Sequence, residues 1–172
     1  VHYINAYKKD NNLKKFDFIV SNPPFKMDFS DYRDDLDSKE NHQRFFAGIP
    51  NIPKKKKNSM AIYLLFFQHI IHSLSDKGKA AVVIPTGFLS AKQGIEPVIK
   101  KYLIDKELIM GVINMPSNIF ANTGTNVSII FLNKEEKNKE IIFVDASELG
   151  EEIKQGKNKK IVLTGEDETL IT

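Results

Sequence analysis

The sequence predicts an α/β fold: a mixed sheet, mostly parallel and wound with helices, carrying one antiparallel strand. Three observations lead there. Five short runs rich in β-branched and aromatic residues recur at residues 16–20, 80–84, 109–113, 127–132 and 141–144. Several of them are continuously apolar, which suits strands covered on both faces. Helical patterns separate the earlier runs, whereas the last two are joined only by NKEEKNKE, too short for a helical crossover. That final pair should therefore run antiparallel.

The first run, FDFIV, stops abruptly at SNPPF. Pro23 and Pro24 have no backbone N–H and fix their own φ, and Pro24 also holds Pro23 extended. The strand thus ends in a stiff arm with bare carbonyls, flanked by the Asn22 amide and the Phe25 ring. Residues 26–57 follow as a long polar segment without a clear period, and loops of that length are usually functional or mobile. The stretch NSMAIYLLFFQHIIHSLSDKG then reads as a helix, capped by Asn58 or Ser59 and closed at Gly78. It is apolar nearly all round, so it should be buried. A second helix over residues 95–103 carries Pro97 in its first turn, where the missing N–H costs least. From Glu148 onward the chain is charged and weakly periodic, a peripheral tail or the start of another region. The expected division is 1–147 and 148–172.

At 172 residues the chain suits one domain or a piece of a larger one, and its first residue, Val1, reads as the edge of a cut fragment. The 41% hydrophobic and 27% charged content argues for a globular chain and against disorder. A net charge of +3 permits contact with nucleic acid without arguing for it. The absence of cysteine excludes disulfides and thiolate metal sites and fits a reducing cytoplasm. The longest apolar stretch, residues 61–71, is interrupted by Gln68 and His69 and is too short to span a bilayer, so no membrane partner is expected.

The arm carries the chemistry. In an open α/β sheet, ligands bind beyond the carboxyl ends of the strands, where Ser21-Asn22-Pro23-Pro24-Phe25 lies. A planar base with an exocyclic amine could donate one N–H to the Asn22 side-chain oxygen and the other to the Pro23 carbonyl. Phe25 could stack on its ring. Two such acceptors draw the amine protons out of plane and localise the nitrogen lone pair, catalysis by preorganisation and alignment without a strong base. The plainer reading is a strand breaker. Residues 54–57, four lysines, read as a solvated loop, since no aromatics interleave with them. His69 and His72 lack a carboxylate or cysteine at ligand spacing and read as helix packing, with no metal site.

The arm resembles motif IV of the amino-methyltransferases, the NPP(Y/F) enzymes. RFFAGIP at 44–50, the helix ending FFQHIIHSL, KGKAAVVIPTGFLSAKQGIEPVIKKYL at 77–103 and GVINMPSNIFANTGTNVSIIFLNK at 111–134 extend the likeness. Together they are similar to the modification subunit of type I restriction–modification systems over residues 16–147. The resemblance implies the C-terminal half of a Rossmann-like S-adenosylmethionine-dependent methyltransferase fold and methylation of adenine N6 in DNA. The catalytic set would be Asn22, Pro23, Pro24 and Phe25, closing on a base flipped from the duplex. Phe120 matches the position of a second stacking aromatic, though it can equally be a loop hydrophobe pinning its turn to the core. Asn114, Asn118, Asn122 and Asn126 crowd the same loop and read mostly as turn formers. Arg44 belongs to the RF-x-x-G-x-P pattern and is a candidate substrate contact. The implied partners are double-stranded DNA and the specificity and restriction subunits, in the cytoplasm.

The resemblance also implies a gap. The family cradles S-adenosylmethionine with a glycine-rich turn after its first strand, yet the first glycine here is Gly48 and no G-x-G occurs. Residues 16–20 would be the fourth strand of seven, the chain alone should bind the methyl donor poorly, and that strand should be an exposed edge open to self-association. Two other functions share these residues: an NPP-type enzyme acting on RNA or a glutamine side chain, or a non-catalytic module that docks a subunit.

Overall fold

The computed structural model describes residues 8–9, 12–120, 124–135, 137, 140–155 and 158–171. Its centre is a five-stranded mixed sheet. In chain order the elements are β1 (Phe16–Ser21), α1 (Tyr63–Ser73), β2 (Leu74–Pro85), α2 (Glu96–Asp105), β3 (Ile109–Asn114), β4 (Val127–Asn133) and β5 (Ile142–Asp145). A hairpin of β6 (Glu151–Gln155) and β7 (Asn158–Val162) and a helix α3 (Gly165–Ile171) follow. The strands lie side by side as β1-β2-β4-β3-β5. β1 pairs parallel with β2, β3 pairs parallel with β5, and β4 runs antiparallel between β2 and β3. The expected single antiparallel strand is thus β4.

Period-two alternation sorts the side chains. Ala80, Val82 and Ile84 of β2 and Ile130 and Leu132 of β4 join Leu64, Phe67, Ile71, Ile99 and Leu103 in the main core, beneath α1 and α2. The intervening residues face the other way, where Val83, Ile129, Phe131 and Val144 pack around Ile113, Met115 and Val127. Leu149, Leu163 and Ile171 lean on this second cluster, so residues 148–171 include a hairpin and a helix that cover part of the second face. On β1 that face is open: Phe18 is 78% and Val20 87% exposed. Continuous apolarity suggested strands covered on both faces; for β1 only the α1 side is covered, by the packing of Ile19 against the main core.

Three further expectations change. α1 begins at Tyr63, because residues 57–59 form a separate 3₁₀ turn that places Met60 in a core of its own. It ends at Ser73, and Gly78 lies within β2 instead of closing the helix. A Cβ at Gly78 would sit 2.9 Å from both the Phe16 carbonyl oxygen and the Leu74 side chain, so glycine lets the two strands approach there. The short link before residue 141 does reverse the chain, but β5 pairs with β3 and not with β4. Crossing to the far side of β3 gives β5 a parallel neighbour and leaves the antiparallel position to β4 alone.

The long segment before α1 is not an open loop. Phe29, Phe45 and Ile49 bury with Met60 and Leu65, and Gln68, fully buried on α1, ties the segment down. The Ala47 N–H donates to Gln68 Oε1 at 2.8 Å, and Gln68 Nε2 donates to the Gly48 and Leu64 carbonyls at 3.1 and 3.2 Å. Arg44 is anchored by the next residue of α1: its Nε donates to His69 Nδ1 at 3.0 Å, and its guanidinium lies 5.1 Å from the Phe45 ring centroid. A ring nitrogen that accepts from a cation must be unprotonated. Burial first, then the charges of Arg44, His72 and Lys15, lower the His69 pKa from 6.5 to about 4.

Two outcomes follow for stability. Gln68→Leu leaves a buried N–H and carbonyl unpaired and should lower the unfolding free energy by about 2–4 kcal/mol in denaturant titrations. For His69, the unfolded chain takes up a proton below pH 6.5 while the folded chain resists until about pH 4. The contribution is therefore present above pH 6.5 and lost as the pH falls through that window, by on the order of 1–2 kcal/mol after allowance for partial exposure. His69→Gln should flatten the decline between these pH values.

Candidate functional site

All strand ends that matter converge on one edge of the sheet. The carboxyl ends of β1, β2, β3 and β5 lie together with the start of β4, as their ladder partners require. Asn22 to Phe25 leave β1 at this edge. Backbone pairing stops at Ser21, since neither proline has an N–H to continue it. Asn22 is exposed and its amide makes no hydrogen bond among the described residues. Pro23 is buried, and its carbonyl likewise accepts no backbone bond among them. Phe25 is half-buried, its ring edge-on to Tyr63 at 6.4 Å between centroids and 80° between planes. The arm is then fixed where Met27 N–H donates to the Met60 carbonyl at 3.1 Å.

Phe25 opens on a cleft of about 500 Å³, lined also by Tyr63, Thr86, Phe88, Glu96 and Asn126. Pockets at strand carboxyl ends with a few polar groups are where α/β folds bind ligands. A larger cleft of about 630 Å³ lies on the second sheet face between Met110, Phe131, Ile142 and Ile171; it is apolar and holds no residue of the arm. Chemistry, more than volume, singles out the first.

The far wall of the site is held by a polar rail across the sheet. Thr86 Oγ1 and Ser128 Oγ are 2.9 Å apart, Ser128 reaches Asn114 Oδ1 at 3.5 Å, and Asn114 Nδ2 donates to Asp145 Oδ1 at 3.2 Å. Hydrogen bonds from Ser147, and then from Asn114, hold the Asp145 carboxyl below the usual carboxylate range. Thr86 N–H donates to the Asn126 carbonyl at 2.9 Å, so the rail also sets the end of the loop that carries Phe120.

The sequence-derived residues divide. Asn22, Pro23, Pro24 and Phe25 lie together at the strand end. Phe120 is half-buried on the cluster of Ile113, Met115 and Val127, which Phe25 also touches, and it does not line the cleft. Asn126 and Asn114 have the structural roles just described, while Asn118 adopts a positive φ of 58° in its turn and Asn122 lies outside the described residues. Arg44 points to His69 and Phe45 and stands apart from the cleft. The residues that sequence reasoning missed are Tyr63, Glu96 and Thr86. A tyrosine starting an otherwise apolar helix was the available signal for the first, because its hydroxyl demands a polar neighbour.

Comparisons with known proteins give the family. The chain matches the family described as N-6 DNA Methylase over residues 2–171. It is 33% identical to the type I restriction enzyme MpnII methylase subunit of Mycoplasma pneumoniae, over 93% of this chain and 27% of that protein. It is also 33% identical to the HindI methylase subunit of Haemophilus influenzae, over 80% of this chain and 29% of that protein. Among solved structures, the type I restriction–modification methyltransferase subunit of Streptococcus thermophilus superposes with a TM-score of 0.66 at 30% identity, covering 92% of this chain and 31% of that one. The chain thus spans under a third of the length of these relatives. On the family match and these identities, the chain belongs to the N-6 DNA methylase family.

Proposed function

We propose that this chain forms the acceptor side of a DNA adenine-N6 methyltransferase of a type I restriction–modification system, with S-adenosylmethionine as methyl donor. One observation carries the reading: an Asn-Pro-Pro-Phe arm with uncommitted oxygens at the carboxyl end of β1, its phenylalanine in the wall of a base-sized cleft. Residues 1–147 make up part of the catalytic domain, and residues 148–172 are a peripheral tail or the start of the next region.

The chain's own residues act on the amine. Asn22 Oδ1 and the Pro23 carbonyl each accept one N6 proton, Phe25 stacks on the flipped base, and Pro24 keeps the arm from bending away. Stacking is worth about 1–3 kcal/mol per base, enough to offset much of the cost of extrusion. The N6 lone pair, no longer shared with the ring, forms the bond to the incoming methyl carbon, and N6 then gives one proton to solvent. When bound, S-adenosylmethionine would supply that methyl group as a cation equivalent, its sulfonium carbon–sulfur bond breaking as the N6–carbon bond forms and a neutral thioether leaving. The described residues do not fit the methionine part of the donor: no glycine-rich turn is among them, and no step on that side is assigned to this chain.

Double-stranded DNA and the specificity and restriction subunits are the partners this reading entails, in the cytoplasm. Phe120 is the candidate second stacking aromatic that the family resemblance supports, although it packs on the Ile113, Met115 and Val127 cluster outside the cleft. Arg44 acts indirectly, by holding the segment before α1 against His69. Studied alone, the chain should pair with a second copy through the exposed edge of β1.

In the full-length enzyme assembled with its specificity subunit, Asn22→Ala should cut methyl transfer to cognate DNA by about 10²–10³-fold while leaving thermal unfolding unchanged. Unchanged turnover would remove the reading. Transfer to RNA or a glutamine peptide, with none to DNA, would redirect it. For the edge, sedimentation of this chain should show dimers that Val20→Lys dissociates; a monomer at all concentrations would contradict the pairing.

A further inference from the structure

The cleft beside the arm contains a group that the reaction as derived does not use. Tyr63 is 94% buried by its 6% exposure, lines the cleft, and its hydroxyl makes no hydrogen bond among the described residues. No buried side-chain oxygen among the described residues lacks a partner, so the small exposed part of Tyr63 includes its hydroxyl, which opens on the cleft and is available to donate to a ligand atom.

The ring has little freedom. It lies edge-on to Phe25 on one side and to Phe88 on the other, both at 6.4 Å between centroids, and Phe88 in turn packs at 5.4 Å against fully buried Phe67. Phe25, Tyr63, Phe88 and Phe67 form a chain of perpendicular rings from the arm into the core. Only the O–H bond of Tyr63 can rotate. Glu96, half-buried in the same cleft, makes no ion pair or hydrogen bond among the described residues. Burial, and after it this carboxylate, pushes the phenol above its ordinary value, so the hydroxyl keeps its proton at any pH where the protein works.

We propose that Tyr63 reads the ring edge of the flipped base, donating its phenol proton to an unprotonated ring nitrogen of adenine while the arm holds N6. The assignment rests on the methyltransferase reading above and deepens it. Adenine offers N1, N3 and N7 as acceptors, whereas guanine carries a proton at N1 alone, so a fixed donor facing N1 both positions the amine and selects the base, and one facing N3 or N7 positions it only. Phe25, stacked on the base and braced by Tyr63, couples the two contacts.

The test is a chemical double-mutant cycle in the full-length methyltransferase with its specificity subunit. Cognate duplexes carry adenine, 1-deazaadenine, 3-deazaadenine or 7-deazaadenine at the target. Tyr63→Phe should lower kcat/KM on adenine by about threefold to tenfold, as loss of one neutral hydrogen bond does, without moving the thermal midpoint. One deaza analogue should cost the unaltered enzyme a similar factor, and on that analogue Tyr63→Phe should cost nothing further. Equal activity of the two enzymes on adenine would overturn the proposal. So would a loss that is the same on adenine and on every analogue, since that is what a displaced helix would give. Failure of the unaltered enzyme to methylate DNA at all would instead sink the parent reading, and this one with it.

Discussion

Two consecutive imide bonds at the end of β1 set the character of the site. A strand can continue beside its neighbour only while each second residue offers an N–H, and Pro23 and Pro24 offer none. The ladder to β2 ends at Ser21 as a matter of covalent structure, and the oxygens beyond it stay uncommitted. Because Pro24 holds Pro23 extended, these oxygens are presented by a stiff segment and not by a floppy loop. Preorganised acceptors need no reorganisation when charge develops in front of them, which is why a rigid arm can stand in for a general base.

The rest of the fold braces this corner. α1 begins at Tyr63 directly against Phe25, and the Met60 carbonyl takes the Met27 N–H, so both ends of the arm's exit are tied to one structural unit. The segment before α1 is in turn locked on the helix by Gln68 and by the Arg44–His69 bond. Across the cleft, the rail from Thr86 through Ser128 and Asn114 to Asp145 joins the ends of four strands. Cleft and scaffold are therefore one mechanical body.

Much of this was legible in the residues. All five strands of the sheet lie where β-branched runs predicted them, the second helix starts with Pro97 in its first turn, and the arm stands at a strand end. What was not legible depends on tertiary contact. Gly78 looks like a helix terminator in isolation, but the reason for a glycine there is the Phe16 carbonyl, more than sixty residues away in sequence. The place of β5 beside β3 follows from which sheet edge was open, and no local pattern encodes that. The polar segment before α1 conceals a core because its apolar residues, Phe29, Phe45 and Ile49, are spaced irregularly and find Met60 and Leu65 only in three dimensions. The motif makes Arg44 visible in the sequence, whereas its partner His69, 25 residues further along the chain, comes beside it only in the fold.

The account turns on where the exocyclic nitrogen rests. A structure of the full-length enzyme on cognate DNA, with a target adenine out of the stack, measures that directly. The account requires N6 within hydrogen-bond reach, about 2.7–3.2 Å, of both Asn22 Oδ1 and the Pro23 carbonyl oxygen. An adenine bound elsewhere, with N6 beyond about 4 Å from both oxygens, would contradict it.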